Sequence, residues 1–184
     1  ENANSTVVLI GGNVIMMTEW YDCVNSILMA YYPGMEGGTA IAEILFGDVN
    51  PSGKLPFAVP KSERDLPYVD WEASDQYYEY YHGYTRLEKN GAEPLIPFGY
   101  GESYTTFKIE KPDAKVENGE IICTATVSNT GLLQGDEIVQ VYIGFENSRV
   151  DRPVKQLRGF QRISLAPGER KKVTISVPFE KLKW

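Results

Sequence analysis

Glu36 is a carboxylate in a short glycine-rich stretch, Met35-Glu36-Gly37-Gly38, which precedes a helical pattern. Catalysis by carboxylates usually needs a second carboxylate placed across the substrate, and no such partner for Glu36 is identifiable in the sequence. At the start of a helix, a carboxylate is stabilised by the free N–H groups and by the helix dipole. We therefore interpret Glu36 as a helix-capping residue, with no catalytic residue assigned in this chain.

The glycines beside Glu36 raise the question of a phosphate-binding loop. The Lys-Ser/Thr pair of a P-loop is missing, and so is the GxGxxG spacing. Further along, Asp48-x-Asn50-x-Ser52-Gly53 places oxygen-bearing side chains at alternate positions, as calcium loops do, but it lacks the later bidentate glutamate. We therefore predict a turn there, and neither a nucleotide site nor a metal site.

Cysteine and histidine chemistry is equally unsupported. Cys23 and Cys123 lie far apart in apolar runs without a CxxC or CxxH neighbourhood, and we predict two buried free thiols. The single histidine, His82, has no identified acidic, cysteine or serine partner for a catalytic triad. Its position beside Gly83-Tyr84 predicts a packing or hydrogen-bonding role.

The overall charge excludes two classes of partner. The chain has 18 basic and 25 acidic residues, a net charge of −7, which disfavours binding to phosphate backbones and anionic membrane surfaces. No apolar run approaches the roughly 20 residues needed to cross a bilayer. We expect neither a nucleic-acid partner nor a membrane partner.

The N-terminal third has the pattern of an α/β layer. Thr6–Ile10 is a short, β-branched apolar run that ends in Gly11-Gly12, and Val24–Ala30 is a second such run. Both are typical of strands in a parallel sheet. In the following segment, Ile41, Ile44 and Leu45 share one helical face, and Gly47 supplies a helix stop. This part is predicted to be a partial α/β sandwich of strand-helix units, residues 1–60.

The rest of the chain changes character twice. Residues 61–106 are rich in proline, glycine and tyrosine, which predicts an ordered connector whose rings bury against something. Residues 107–184 have period-two strands, which predict an all-β immunoglobulin- or fibronectin III-like sandwich. The candidates are Ile121–Val127, Ile138–Phe145, Gln156–Ile163 and Arg170–Val177, two weaker ones near Phe107 and Ala114, and turns at Gly135-Asp136 and Ala166–Glu169. A sandwich of this type has about seven strands, so we expect the last one or two to be missing.

Three long motifs resemble a known family. Tyr32-Pro33-Gly34-Met35-Glu36-Gly37-Gly38, followed by the segment 44–56, is similar to the signature of the α/β-sandwich domain of family 3 glycoside hydrolases. The segment 82–107 resembles the family's bridge into its third domain. Val127-Ser128-Asn129-Thr130-Gly131 and the segments 135–142 and 155–160 resemble the fibronectin type III-like domain that follows it. The resemblance covers essentially the whole chain in collinear order.

The resemblance implies part of a retaining β-glycosidase that acts on terminal non-reducing β-D-glucosyl or related residues. Such an enzyme uses two carboxylates about 5 Å apart and requires no cofactor. The resemblance places the nucleophilic Asp in a TIM-like barrel and the acid/base Glu in an earlier part of the α/β domain. Neither position is represented, so both ends are expected to be truncated and the chain alone is expected to be inactive. The implied partners are a β-linked oligosaccharide or glucoside and the catalytic barrel domain, in the same or another chain.

Aromatic residues are the candidates for contact with a sugar, because ring faces stack on the apolar faces of pyranoses. Packing in a core is the competing role for each ring. The predicted rim residues of the parent's active site are Trp20, Trp71, Tyr78 and Tyr81.

Two other functions remain open. The fibronectin-like domain by itself would suit a non-catalytic module for adhesion, carbohydrate binding or subunit contact. The segment Tyr32–Pro56 argues against this, because a free-standing binding module has no use for half of an α/β sandwich. Alternatively, the chain works only when it is paired with a separate polypeptide that carries the barrel.

Overall fold

The computed structural model describes residues 4–183, and the chain forms two compact units. The first unit contains the residues up to Val49 together with Leu55–Tyr100. The second contains Asn50–Lys54 together with the residues from Gly101 onward. The chain therefore passes between the units three times. The division at residues 60 and 106 that the sequence suggests stays a prediction.

Two parallel strands begin the first unit. β1 (Thr6–Ile10) pairs with β2 (Ser26–Tyr31), with Thr6 opposite Ser26 and Leu9 opposite Met29. Parallel strands need a long connection, which here contains a 3-10 turn at Tyr21–Cys23. Parallel pairing of the two apolar runs, followed by a helix, confirms the predicted α/β character of this part.

Helix α1 (Gly37–Phe46) follows β2 and ends where predicted. Gly47 adopts a left-handed φ of 86°, and its N–H donates to the Ile44 carbonyl at 3.1 Å. Glu36 occupies the N-cap position, but its side chain accepts no hydrogen bond from the helix backbone; the Thr39 hydroxyl donates to it at 3.5 Å. The predicted side-chain cap is therefore wrong. The backbone of Glu36 (φ −87°, ψ 9°) lacks the extended conformation from which short side chains usually cap a helix.

The rest of the first unit builds a core around Met17, Val59 and Ile96. β3 (Val59–Pro60) pairs antiparallel with β4 (Pro94–Ile96), which brings Val59 opposite Ile96. Helix α2 (Gly83–Lys89) precedes β4 and buries Thr85 and Leu87. A 3-10 turn at Glu63–Asp65 is the remaining regular element of this unit in the described residues.

The second unit is a sandwich of two antiparallel sheets. Its strands in the described chain are β5 (Phe107–Glu117), β6 (Glu120–Asn129), β7 (Gly135–Ile143), β8 (Gln156–Leu165) and β9 (Arg170–Pro178), followed by a 3-10 turn at Phe179–Leu182. One sheet has the order β5-β6-β9, and the other contains β7 and β8. Their facing side chains form one core, which includes Val127, Leu165 and Val177. The all-β sandwich predicted for this region is confirmed.

Two local predictions for the sandwich are corrected. The weak strand candidates near Phe107 and Ala114 belong to one strand, β5, in which a bulge between Glu110 and Asp113 interrupts the alternation of side chains. Gly135-Asp136, predicted as a turn, begins β7, with Gly135 opposite Leu165. The Ala166–Glu169 turn forms as expected, with Gly168 at a φ of 75°.

Asn129, at the end of β6, organises one end of the sandwich. Its side-chain oxygen accepts hydrogen bonds from the Thr105 hydroxyl at 2.8 Å and from the Gly131 N–H at 3.0 Å. Its side-chain amide donates to the carbonyls of Leu133 at 2.7 Å and Leu165 at 3.0 Å. Because Asn129 is only 1% exposed, these bonds satisfy polar groups that water cannot reach.

The segment Asn50–Lys54 joins the second unit through side chains. The Asn50 amide donates to the Gln134 carbonyl at 3.0 Å, and its oxygen accepts from the Ser103 hydroxyl at 2.9 Å and the Tyr104 N–H at 2.8 Å. Lys54 pairs with Glu137 at 3.0 Å and donates to the Gly101 carbonyl at 2.6 Å. Asp48, Asn50 and Ser52 suggested a calcium loop. Of their side-chain oxygens, that of Asn50 instead accepts two hydrogen bonds that hold the second unit together.

The two cysteines are free, but the prediction that both are buried is wrong for Cys23. Cys23 is exposed because it lies in the 3-10 turn before β2. Cys123 is half-buried in β6, and burial raises the pKa of its thiol.

A glycine-to-alanine pair tests the helix stop. Gly47→Ala places a side chain at a left-handed φ and is expected to destabilise the protein by about 1–2 kcal/mol. Gly38→Ala is the matched control, because Gly38 lies inside α1 with open space around its Cα. It is expected to be neutral or to stabilise by up to about 1 kcal/mol. The measurement is urea unfolding, and equal midpoints for the two variants would contradict the assignment.

A second pair tests the buried amide. Asn129→Ala leaves the hydrogen-bonding groups around it without partners. It is expected to destabilise the protein by about 3 kcal/mol or more, since each buried group without a partner costs about 1–3 kcal/mol. Gln134→Ala removes an exposed side chain and should change stability by less than about 0.5 kcal/mol. Thermal melts followed by circular dichroism compare the two. A melting temperature of Asn129→Ala close to that of the control would show that the network is dispensable.

Candidate functional site

The candidate site is the segment 68–81 of the first unit, defined by its exposed aromatic rings. Between Asp65 and Gly83 the chain forms no helix or strand. Five rings in it are exposed, namely Tyr68, Trp71, Tyr77, Tyr78 and Tyr80. The expectation that the rings of this connector are buried is therefore wrong for most of them, because no regular element packs them against the unit's core.

Trp71 lies in a loop that is closed by its own hydrogen bonds. The N–H of Asp70 donates to the side-chain oxygen of Gln76 at 3.3 Å, and the Gln76 amide donates back to the Asp70 carbonyl. The Asp70 carboxylate accepts from the Glu72 N–H at 3.0 Å. The loop thereby presents Trp71 on the surface with 91% of its area exposed.

Acidic side chains alternate with the rings. Asp70, Glu72, Asp75 and Glu79 lie between residues 68 and 81, and no lysine or arginine occurs in that range. Carboxylates accept hydrogen bonds from hydroxyl groups. The segment therefore offers both apolar ring faces and acceptors, which is the combination that binds polyhydroxylated molecules. These acids were not among the predicted site residues, although their alternation with aromatic residues is visible in the sequence.

The C-terminal end of the segment is anchored to α2. Tyr81 is buried, with the Lys89 ammonium 3.7 Å from its ring centroid and the Tyr80 ring edge-on at 5.2 Å. A ring nitrogen of His82 lies 3.1 Å from the Tyr80 carbonyl, in agreement with its predicted hydrogen-bonding role. Tyr81 therefore has an environment different from that of Tyr78, which is 61% exposed.

The four sequence-predicted rim residues thus divide into two groups. Trp71 and Tyr78 present open ring faces within the aromatic segment. Tyr81 is packed beneath Lys89, and Trp20 is half-buried against the core around Met17 and Val59. Trp71, Tyr78 and Tyr81 belong to one stretch of the sequence, whereas Trp20 packs against the core around Met17 and Val59.

Residues 4–183 contain neither a cluster of metal-ligating side chains nor a membrane-spanning helix. Within that range, no three side chains of the His, Cys, Asp and Glu types gather closely enough to hold an ion. The same stretch contains no helix with the length and apolar character of a membrane span.

Two families match the chain in succession. Residues 1–104 match the family described as "Glycosyl hydrolase family 3 C-terminal domain", and residues 137–184 match the "Fibronectin type III-like domain". The first match includes the aromatic segment, and the second includes most of β7 and all of β8 and β9.

Individual relatives agree with these matches. The chain is 38% identical to the beta-glucosidase BoGH3A of Bacteroides ovatus, over 100% of the chain and 26% of that protein. It is 40% identical to a beta-xylosidase of Formosa agariphila, over 96% of the chain and 24% of that protein. A crystal structure of beta-D-glucoside glucohydrolase from Trichoderma reesei matches 100% of the chain and 29% of its own, with a TM-score of 0.91 and 26% identity. The chain thus spans about a quarter of the length of the curated relatives it matches.

Proposed function

The chain belongs to the family 3 glycoside hydrolases, and we propose that it is part of a retaining β-glycosidase that removes terminal non-reducing β-D-glucosyl or related residues. The observation that carries the proposal is the match of residues 1–104 to a domain of this family, together with relatives named as β-glucosidases that are about four times as long. A relative named as a beta-xylosidase keeps xylosyl residues among the candidate substrates.

The proposed chemistry uses two carboxylates. One attacks the anomeric carbon while the second, about 5 Å away, protonates the leaving oxygen and later activates water. We assign both to regions outside these 184 residues: the nucleophilic Asp to the catalytic barrel and the acid/base Glu to an earlier part of the α/β domain. Glu36 is exposed, and its carboxylate accepts a hydrogen bond at 3.5 Å from Thr39 of the helix that it precedes. The partner of this chain is then the barrel domain.

Within the parent enzyme, the aromatic segment 68–81 is proposed to border the sugar site. Of the four candidate rings, Trp71 and Tyr78 have the free faces that stacking on a pyranose requires. The carboxylates beside them, including Asp70 and Glu79, supply acceptors for sugar hydroxyls. Tyr81 packs against Lys89, and Trp20 packs against the core around Met17 and Val59.

The rival function is a free-standing binding module built on the fibronectin-like domain. The family match over residues 1–104 favours the enzyme, because an isolated β-sandwich module does not need the parallel strands β1 and β2 or helix α1. Pairing with a barrel carried on a separate polypeptide remains compatible with the proposal, since the missing carboxylates then come from that second chain.

We predict that the 184-residue chain alone does not release p-nitrophenol from p-nitrophenyl β-D-glucoside, because both catalytic carboxylates lie elsewhere. The longer polypeptide that contains it should hydrolyse this substrate with retention, so that proton NMR detects the β-anomer of the sugar first. Turnover by the isolated chain that disappears in Glu36→Gln would overturn the assignment of Glu36. A longer polypeptide without glycosidase activity would overturn the proposed function.

Substitutions in the longer enzyme test the rim. Trp71→Ala and Tyr78→Ala remove a stacking face and should each raise KM about two- to tenfold, with a smaller effect on kcat, since such contacts are worth about 0.5–1.5 kcal/mol. Phe46→Ala is the matched control, because Phe46 is an exposed ring, at 85%, that lies in α1 outside the segment. Steady-state kinetics on the aryl glucoside provide the comparison. A KM equal to that of the wild type in both Trp71→Ala and Tyr78→Ala would remove the segment from the site.

A further inference from the structure

Part of the aromatic segment, the loop at residues 70–76, concentrates negative charge around an exposed ring. We call it the acidic loop. It contains three acidic residues and a tryptophan, namely Asp70, Trp71, Glu72 and Asp75. The mutual hydrogen bonds of Asp70 and Gln76 hold its two ends together. The three carboxylates and the indole therefore belong to one closed turn of the chain.

No cationic side chain neutralises these carboxylates within residues 4–183. There, the Asp70 carboxylate accepts from the backbone N–H of Glu72 at 3.0 Å, and the Asp75 carboxylate accepts from the Ser74 hydroxyl at 3.2 Å. Neither donor carries a charge. The sequence from Asp65 to Tyr81 contains no lysine or arginine. The loop therefore keeps three negative charges without a counter-charge in the part of the chain that the structure describes.

Carboxylates on the β-sandwich have the counter-charge that the acidic loop lacks. Glu110 pairs with Lys108 and with Arg170, both at 2.9 Å, and Glu169 pairs with Lys171 at 3.0 Å. Like charges that are held close together repel one another, which raises the free energy of the folded chain. A cation bound at the acidic loop would remove this repulsion.

The ring beside the charges favours one kind of cation. Within residues 4–183, no three side chains of the metal-ligating types are close enough to hold an ion. An organic cation, in contrast, is attracted by the face of an aromatic ring, and most strongly by tryptophan. Trp71 is 91% exposed, so its ring is accessible to such a ligand. The combination fits an ammonium or guanidinium group better than a metal ion.

The aromatic segment already shows this chemistry once, at its C-terminal end. The Lys89 ammonium lies 3.7 Å from the centroid of the Tyr81 ring, and the Arg86 guanidinium lies 3.9 Å from the Glu79 carboxylate. Both cations belong to α2. That end of the segment thus has a ring, a carboxylate and cations, whereas the acidic loop has the ring and the carboxylates alone.

We propose that the acidic loop binds an organic cation through the Trp71 ring and the carboxylates of Glu72 and Asp75. In the longer enzyme, this cation is the protonated amine of a glycoside's aglycone. A neutral sugar donates hydrogen bonds to carboxylates but leaves their charges uncompensated. The identity of the ligand as an aglycone rests on the proposed function, whereas the binding of a cation by the loop does not.

Choline and its uncharged isostere dimethylbutanol, in which carbon replaces the nitrogen, test the loop in the 184-residue chain. Proton–nitrogen NMR follows the indole N–H of Trp71, which is assigned by its loss in Trp71→Phe. Choline is expected to bind at least about fivefold more tightly, since a cation–π contact and surface ion pairs add to its affinity. Higher salt concentration should reduce this advantage.

Charge-removing variants separate the loop from the overall charge of the chain. Glu72→Gln and Asp75→Asn should each weaken choline binding about twofold or more and leave dimethylbutanol binding unchanged. Glu43→Gln is the matched control, because Glu43 is an exposed carboxylate of α1 outside the aromatic segment. It should change neither affinity. Choline that binds no more tightly than dimethylbutanol, or that binds both loop variants as tightly as the wild type, would overturn the proposal.

Two aryl glucosides test the aglycone in the longer enzyme. The para-aminomethylphenyl β-D-glucoside carries an ammonium at neutral pH, and the para-methylphenyl β-D-glucoside is its uncharged analogue. The kcat/KM of the charged substrate relative to the uncharged one is expected to fall about twofold or more in Glu72→Gln and in Asp75→Asn, but not in Glu43→Gln. A ratio that all three variants leave unchanged would overturn the aglycone assignment. An enzyme that cleaves neither glucoside would overturn the proposed function, while the choline titration still decides the cation site.

Discussion

The buried amide of Asn129 is the interaction on which the β-sandwich most depends. It accepts from Thr105 and Gly131 and donates to Leu133 and Leu165, so that four points of the chain meet at one side chain. Apolar packing between the sheets is non-directional and tolerates small shifts, whereas these bonds require one arrangement of the surrounding backbone. Neither aspartate nor leucine could replace it, because the site needs both donors and acceptors.

Periodicity in the sequence was sufficient to predict β1, β2, α1 and most of the sandwich strands, but not β3, α2 or β4. β1, β2 and α1 were predicted because their apolar residues follow the strand and helix periods, and Gly47 marked the end of the helix. The single strand β5 was divided into two candidates because the bulge between Glu110 and Asp113 shifts the alternation in mid-strand. Bulges depend on pairing with a neighbouring strand, so a one-dimensional pattern contains little information about them.

The candidate site was less predictable, because exposure is a property of the folded chain. Trp71 and Tyr81 are both aromatic residues of one proline- and tyrosine-rich segment, and nothing in their types separates them. In the structure Tyr81 is covered by Lys89 of α2, whereas Trp71 lies in a hydrogen-bonded loop with its ring free. What distinguishes them is tertiary packing, and the expectation that aromatic rings must be buried was too general.

The insertion of Asn50–Lys54 into the second unit has a consequence for how such a domain can be inherited. A gene segment that begins at Gly101 encodes β5 to β9 but lacks the partners of Gln134, Ser103 and Glu137. If recombination transferred this segment alone to another gene, the resulting sandwich would have polar groups without hydrogen-bond partners and an unpaired charge at one end. The fibronectin-like unit of this chain therefore cannot be moved as one contiguous segment without losing the contacts of Asn50–Lys54. Its ancestry is tied to the α/β unit whose chain completes it.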